Sequence, residues 1–264
     1  MNQHSARQTL SLTSILARSE FKLRYAGSAL GFFWSVAKPL ALFGILYFAF
    51  SYVLRFGADV DHYPQQLLLA IVLWTFFAEA TAASTSVLVA RADMTRKISF
   101  PRIVLPLAVS GTAALAMLFN LVAVLVICII GGVTPTLSWL WLPLLIIELF
   151  VGTIGISLLL AALFVKYRDI GQIWELSSQM LFYATPIIYP ISLVPDHLHT
   201  LVLSNPLSQI IQDARYVIVN PSTGTGLESL DWRVRLIPYV ITIAVFVIGL
   251  TVFRRAADRV AEHV

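Results

Sequence analysis

Of 264 residues, 58% are hydrophobic and only 12% are charged, and the mean hydropathy is +0.83. A water-soluble domain carries about twice that share of charge, so an ordinary soluble enzyme or binding module is excluded and an all-α polytopic membrane protein is expected. The formal charge of +4 does not indicate nucleic acid, because the basic residues sit between apolar runs, where membrane topology accounts for them.

About 20 apolar residues cross a bilayer as a helix, which leaves room for about six spans in a single domain over 1–264. Residues 1–9 are polar and form no signal peptide. Residues 10–26 read as a helix with Leu12, Ile15, Leu16 and Leu23 on one flank and Arg18 and Lys22 on another. Leu10 and Phe21 fall off that pattern. The segment 1–26 is expected to lie along the cytoplasmic leaflet. Between residues 20 and 40 the chain changes character, from Glu20, Lys22 and Arg24 to Phe32, Phe33 and Trp34. Tyr25 and Trp34 are the rings expected at a membrane boundary, and Lys38 can snorkel back toward it. Gly27 and Gly31 loosen the turn from lying on the membrane to crossing it.

Span 1 is placed at about 33–54, followed by a polar loop with Arg55, Asp59, Asp61 and His62. Span 2, about 66–89, contains Glu79. The loop from Arg91 to Arg102 is the most basic internal one, and Pro101 and Pro106 bracket the return into span 3, about 104–130. A turn at Gly131–Pro135 and the interfacial Trp139 and Trp141 lead to span 4, about 140–165. Lys166 to Asp169 is a second basic turn. Span 5, about 172–189, is short for a full crossing. Residues 190–234 hold Pro190, Pro195, Pro206, Pro221 and a Ser-Thr-Gly-Thr-Gly loop, and are expected to form short helices dipping into the outer leaflet. Span 6 is placed at about 235–253, before a basic tail with Arg254, Arg255 and Arg259. The Lys and Arg bias puts both termini in the cytoplasm; Arg215, Arg233 and Arg235 run against it. No internal repeat points to inverted halves.

Several side chains invite a functional reading. Glu79 lies near the middle of span 2, where a charge is costly unless it faces protein or water; protonation, or a hydrogen bond to Thr75 or Thr81, is the plain alternative. Asn120 in span 3 reads as glue between helices. Phe43, Tyr47, Phe50 and Leu54 form one helical stripe on span 1 that could line a conduit or simply pack, with Tyr183 and Tyr189 on span 5 as further candidates. Pro186 and Pro190 are expected to break span 5 at an external gate. Lys22 and Arg24 could meet phosphate oxygens at the cytoplasmic leaflet, or simply anionic lipid. No Gly-x-x-x-x-Gly-Lys-Ser/Thr motif is present, so ATP is not bound by that loop. The five histidines are dispersed, which leaves no expected metal site, and the lone Cys128 reads as a small buried hydrophobe. No nucleophile, base and orienter stand out together.

Five short motifs, in order, carry a resemblance. Lys22-Leu-Arg24-Tyr25 with Leu30-Gly31, Trp34 and Pro39-Leu40 resembles the N-terminal signature of ABC-2 type permeases of polysaccharide exporters, the group that exports O-antigen, teichoic acid and capsule. Ile98-Ser-Phe-Pro-Arg102 with Leu105-Pro106 is similar to their loop between spans 2 and 3. Tyr167-Arg168-Asp169-Ile170 is similar to their turn after span 4. Thr185-Pro-Ile-Ile-Tyr189 and Asn205-Pro206-Leu207 match the end of span 5 and the external segment. Lys166 departs from the aromatic residue or Arg common at that position. The O-antigen branch is the nearest. The resemblance implies a homodimer bound to two copies of a separate ABC ATPase, which would hold the ATP and Mg, and a lipid-diphosphate-linked glycan as cargo. It makes Arg91, Asp93, Arg96, Lys97, Arg102, Tyr167, Arg168 and Asp169 candidates for contact with that ATPase, topology charge being the alternative. Pro186, Tyr189, Pro190, Asn205 and Pro206 become gate candidates. Six spans are few for a polymer conduit, and a two-fold pair is the commonest closed assembly. The alternatives are teichoic acid, capsule or drug export and, in another class, a membrane glycan-processing enzyme or a structural subunit.

Overall fold

The computed structural model describes residues 3–25, 33–53, 60–91, 101–219 and 235–263. Every element among them is helical. α1 covers Gln3–Tyr25; α2 covers Phe33–Tyr47 and continues as a π-helical turn, Phe48–Val53; α3 covers Tyr63–Thr85, followed by the single turn α4, Val87–Ala90. α5 covers Val104–Ile130 and α6 Leu142–Lys166, joined through a 3-10 turn at Leu137–Trp141. α7 covers Ile170–Ala184, α8 Asp196–Leu203, α9 Pro206–Ile218 and α10 Ile237–His263.

α3 is the axis of the bundle. It starts after His62, which adopts a left-handed conformation at φ 54°, and Pro64 sits in its first turn, where a missing N–H costs nothing. Leu67 to Leu73, Phe76, Phe77 and Ala80 are buried on all its faces. α5 runs antiparallel beside it: Ser84 and Ser110 hydroxyls lie 3.5 Å apart at one end, and at the other Gly131 packs under the Gln65 side chain. α6 runs back again, with Phe76 and Phe150 stacked at 6.1 Å and Ser110 donating to Ser157 at 3.5 Å. Cys128 is buried in this core.

α10 lies parallel to α6 at a separation only glycine allows. A Cβ on Gly155 would sit 2.6 Å from the Phe246 Cα, and one on Gly249 would meet the Gly155 carbonyl. In lipid, helices gain little from hiding apolar surface from one another, so such close backbone packing supplies the attraction.

α1 is docked on α5. Ala17 approaches Gly111, Thr112 Oγ1 donates to the Ala17 carbonyl at 3.1 Å, and Phe21 stacks on Phe119 at 5.9 Å. Phe21 breaks the Leu12–Ile15–Leu23 pattern because it serves the α5 contact, whereas Leu10, Ile15 and Leu23 stay exposed.

Among the described residues, five helices are long and apolar enough to cross a membrane. The expected fifth span, 172–189, is corrected: α7 ends at Ala184. Thr185, which precedes Pro186, is extended (φ −88°, ψ 137°) because a residue before proline is pushed out of the helical region. Fifteen helical residues rise about 22 Å against a hydrocarbon core of about 30 Å. The non-helical stretch 185–190 follows, and its Ile188 carbonyl reaches the first residue of α3.

Candidate functional site

α2 and α7 each lean on α3 and leave their outer sides open, and these open sides are the wall of the bundle. No residue of α7 is buried; Ile173, Leu176, Met180 and Tyr183 are exposed along it. Its inner edge is held to α3 by Trp174 Nε1 donating to Thr81 Oγ1 at 3.1 Å and by Phe182 edge-on to Trp74 at 5.4 Å. On α2, Phe43 and Tyr47 stack at 5.5 Å, and with Phe50 they are half-buried against the core. The rings that stand out of the wall are Phe48 and Tyr52, 62% and 65% exposed and 5.9 Å apart. They stand one turn apart on the side of the helix opposite Phe43, Tyr47 and Phe50, within the π-helical turn. Leu54, the last member of the expected stripe, lies outside the described residues.

One end of the wall is clamped by side chains. The hydroxyl of Tyr63 donates to the Ile188 carbonyl at 2.6 Å, and Arg215 donates through Nη2 to the Ile187 carbonyl at 2.7 Å and through Nε to that of Gln66 at 3.4 Å. Asn205 Nδ2 donates to Thr185 Oγ1 at 3.2 Å, while its Oδ1 accepts from Leu207 N at 3.1 Å and so caps α9, which opens on Pro206. The Tyr189 hydroxyl lies 3.3 and 3.4 Å from the carbonyls of Tyr183 and Ala184, which the end of α7 leaves without ladder partners. The segment 185–190, with Pro186 buried and Pro190 half-buried, is therefore fixed by α3 and α9 rather than by its own helix. Arg215 is 2% exposed. Among the described residues no carboxylate pairs with it, and burial pushes its guanidinium down to about 10, still charged near neutrality.

The opposite end carries the basic groups. Arg91 forms an ion pair with Glu20, which ties α1 to the end of α4. Arg102 is half-buried in the turn before α5. Tyr167, Arg168 and Asp169 are exposed between α6 and α7; Lys166 Nζ lies 4.9 Å from the Tyr167 ring centroid and the Arg168 guanidinium 5.2 Å from that of Phe164. Lys22 is exposed on α1. The side chain of Arg24, together with Asp93, Arg96, Lys97, Gly27, Gly31 and the 220–234 segment, lies outside the described residues.

Glu79 lines two spaces. One is a pocket of about 30 Å³ shared with Lys38, Thr75 and Asn120; the other is a cleft of about 580 Å³ that reaches Glu20 and Arg91. Thr81, weighed above as its partner, instead bonds the Phe77 carbonyl and Trp174. Asn120 bridges helices, donating to the Ser35 carbonyl at 3.0 Å and to that of Ala116 at 2.9 Å.

The ABC-2 type transporter profile matches residues 11–219. The chain belongs to the ABC-2 type transporter family. It is 32% identical over 252 residues, 95% of this chain and 94% of the relative, to the O-antigen export system permease protein RfbA of Klebsiella pneumoniae. A protein of the same name from Myxococcus xanthus is 29% identical over 69% of each chain. The polysialic acid transport protein KpsM of Escherichia coli is 21% identical over 89% of each. The open wall, the clamped end and the basic end are thus features of an ABC-2 membrane domain.

Three parts of that domain were missed in the sequence. Arg215 looks there like an exception to a charge bias, and nothing local marks it as a clamp. Tyr63 stands between the polar loop and span 2 and was given no role. Glu148, half-buried in α6, shares a cavity of about 190 Å³ with Thr153, Asn205 and Thr242, and stands near the buried pair in which Gln209 Nε2 donates to Asp213 Oδ2 at 2.6 Å. The signal for Glu148 was present: it is a lone carboxylate in an apolar run, as Glu79 is.

Proposed function

We propose that this chain is the membrane-spanning permease subunit of an ATP-driven exporter, which moves a lipid-diphosphate-linked polysaccharide of the O-antigen type outward across the bacterial plasma membrane. The observation that carries the reading is the open aromatic wall of α2 and α7, which leaves Phe48, Tyr52 and Tyr183 without cover from the rest of the bundle. Two copies related by a two-fold axis would set two such walls face to face and enclose a passage. Aromatic faces stack on the apolar faces of sugar rings without fixing one register. The names of the relatives supply the cargo class.

The sequence has no phosphate loop, so ATP and Mg are held by two copies of a separate ABC ATPase, which docks at the basic end. Arg91, Arg102, Tyr167, Arg168 and Asp169 face it there, and both termini are cytoplasmic. Lys22 and Arg24 receive the diphosphate at the inner leaflet through charge-assisted hydrogen bonds. The clamped segment 185–190 forms the outer end of the passage. A capsule-type cargo is the second reading, favoured by the likeness to the polysialic acid transport protein.

Co-expression with a candidate ABC ATPase subunit tests this. The two proteins should purify together, and lipid-linked glycan should raise ATP hydrolysis in proteoliposomes and appear on the far leaflet. Nucleotide hydrolysis by the isolated chain, or conversion of a lipid-linked sugar without any ATPase, would overturn the reading.

A further inference from the structure

Pro39 stands inside α2. Its nitrogen carries no hydrogen, so the carbonyl of Ser35, one turn earlier, cannot receive the bond that residue 39 would otherwise return to it. In a hydrocarbon setting such a carbonyl needs a donor from elsewhere. Asn120 of α5 supplies one across the helix boundary: Nδ2 donates to Ser35 O at 3.0 Å, and also to Ala116 O at 2.9 Å in its own helix. Ser35, Pro39 and Asn120 are all buried and line one pocket. Beyond Pro39 the contact changes in kind. Leu40, Phe43, Leu46, Tyr47 and Phe50 are only partly buried and lean on the core through apolar surface, which slides more easily than a directed hydrogen bond.

We propose that Asn120 is the latch of a proline hinge: it pins the first turns of α2 to α5, and the aromatic half of α2, from Phe43 to Val53, turns about Pro39 during the transport cycle. Asn120 is a positioning residue here, acting through the backbone of α2. The hinge rests on the exporter reading only for its transport arm.

A double-mutant cycle in the full chain tests the latch without ATPase or glycan. Asn120→Ala removes the side-chain donor to the Ser35 carbonyl and should lower the apparent melting temperature in detergent by about 5 °C. Pro39→Ala provides a new N–H for that carbonyl, so Asn120→Ala in the Pro39→Ala background should cost less than about 2 °C. A loss of equal size in both backgrounds overturns the latch, because a merely structural asparagine is not rescued by a change in the partner helix. If Asn120→Ala alone yields no folded protein, the amount recovered from membranes decides: adding Pro39→Ala must restore it, and failure to do so overturns the latch. For the hinge, Pro39→Ala alone should keep the melting temperature but slow export in proteoliposomes about tenfold. Export at the wild-type rate overturns the hinge. Because the cycle is read without cargo, a wrong cargo would leave its result unchanged.

Discussion

α2 and α3 have similar length and apolarity, yet they are different objects. In the most apolar stretch of α3, 72% of the residues are buried within the chain; in α2 with its π-helical turn the share is 6%. α3 is enclosed by α5, α6, α7 and α9, whereas α2 leans on one side only. Hydropathy measures what a helix can tolerate around it, and lipid, a second copy of the chain and a buried core are equally apolar. The difference between the two therefore lies in specific contacts: α3 meets neighbours on several sides through packed rings and hydrogen bonds, as α6 and α10 meet through glycine, whereas beyond Pro39 α2 presents loosely held aromatic rings. A core built this way should be intolerant of change and the wall tolerant of it, apart from transport.

The sharpest break in that comparison is at Gly249. Gly249→Leu would drive a side chain into the Gly155 carbonyl, and we expect almost no folded protein by fluorescence-detected gel filtration. Recovery at half the wild-type level or better would mean that α6 and α10 are not packed at glycine distance. Next is Arg215→Met, which removes the donor to the Ile187 carbonyl and should cost about 2–4 kcal/mol, read as a lower melting temperature. Arg215→Lys should recover only part, because one ammonium cannot reproduce the planar donor fork. On the wall, Phe48→Ala with Tyr52→Ala should leave stability within about 0.5 kcal/mol and cut export severalfold; a large drop in melting temperature would move those rings into the core. The smallest effect on stability is expected for Glu20→Gln, which opens the partly exposed ion pair to Arg91 at a cost of about 0–1 kcal/mol. Here the informative readout is the ATPase response to cargo, which should weaken if α1 and the basic end move together.

The comparison also explains which features were legible. Span positions followed from apolar run lengths, and the break at Pro186 from the restriction proline places on Thr185. Of the gate candidates named from motifs, Tyr189 and Asn205 both bond at the end of α7, Tyr189 to the Tyr183 and Ala184 carbonyls and Asn205 to Thr185. The end of α7 was placed too late because Ile187, Ile188 and Tyr189 are apolar enough to extend a span; only the hydrogen bonds from Arg215 and Tyr63 reveal that the Ile187 and Ile188 carbonyls are served from other helices. Of the stripe on span 1, Phe43, Tyr47 and Phe50 lean on the core together, as the packing alternative has it, and Leu54 lies outside the described residues.

By itself the sequence determined that this is a helical membrane domain, where its spans begin and end to within a turn or so at most boundaries, and which end carries the basic turns. Those properties are sums over local runs, and a run of apolar residues or a proline acts on its own neighbourhood. Only the tertiary structure decided which apolar helix is core and which is wall, and that Arg215 serves segment 185–190. It likewise decided that Asn120 serves the carbonyl Pro39 leaves behind. Each of these depends on one donor meeting one acceptor from a distant part of the chain, a pairing that residue type permits but does not specify.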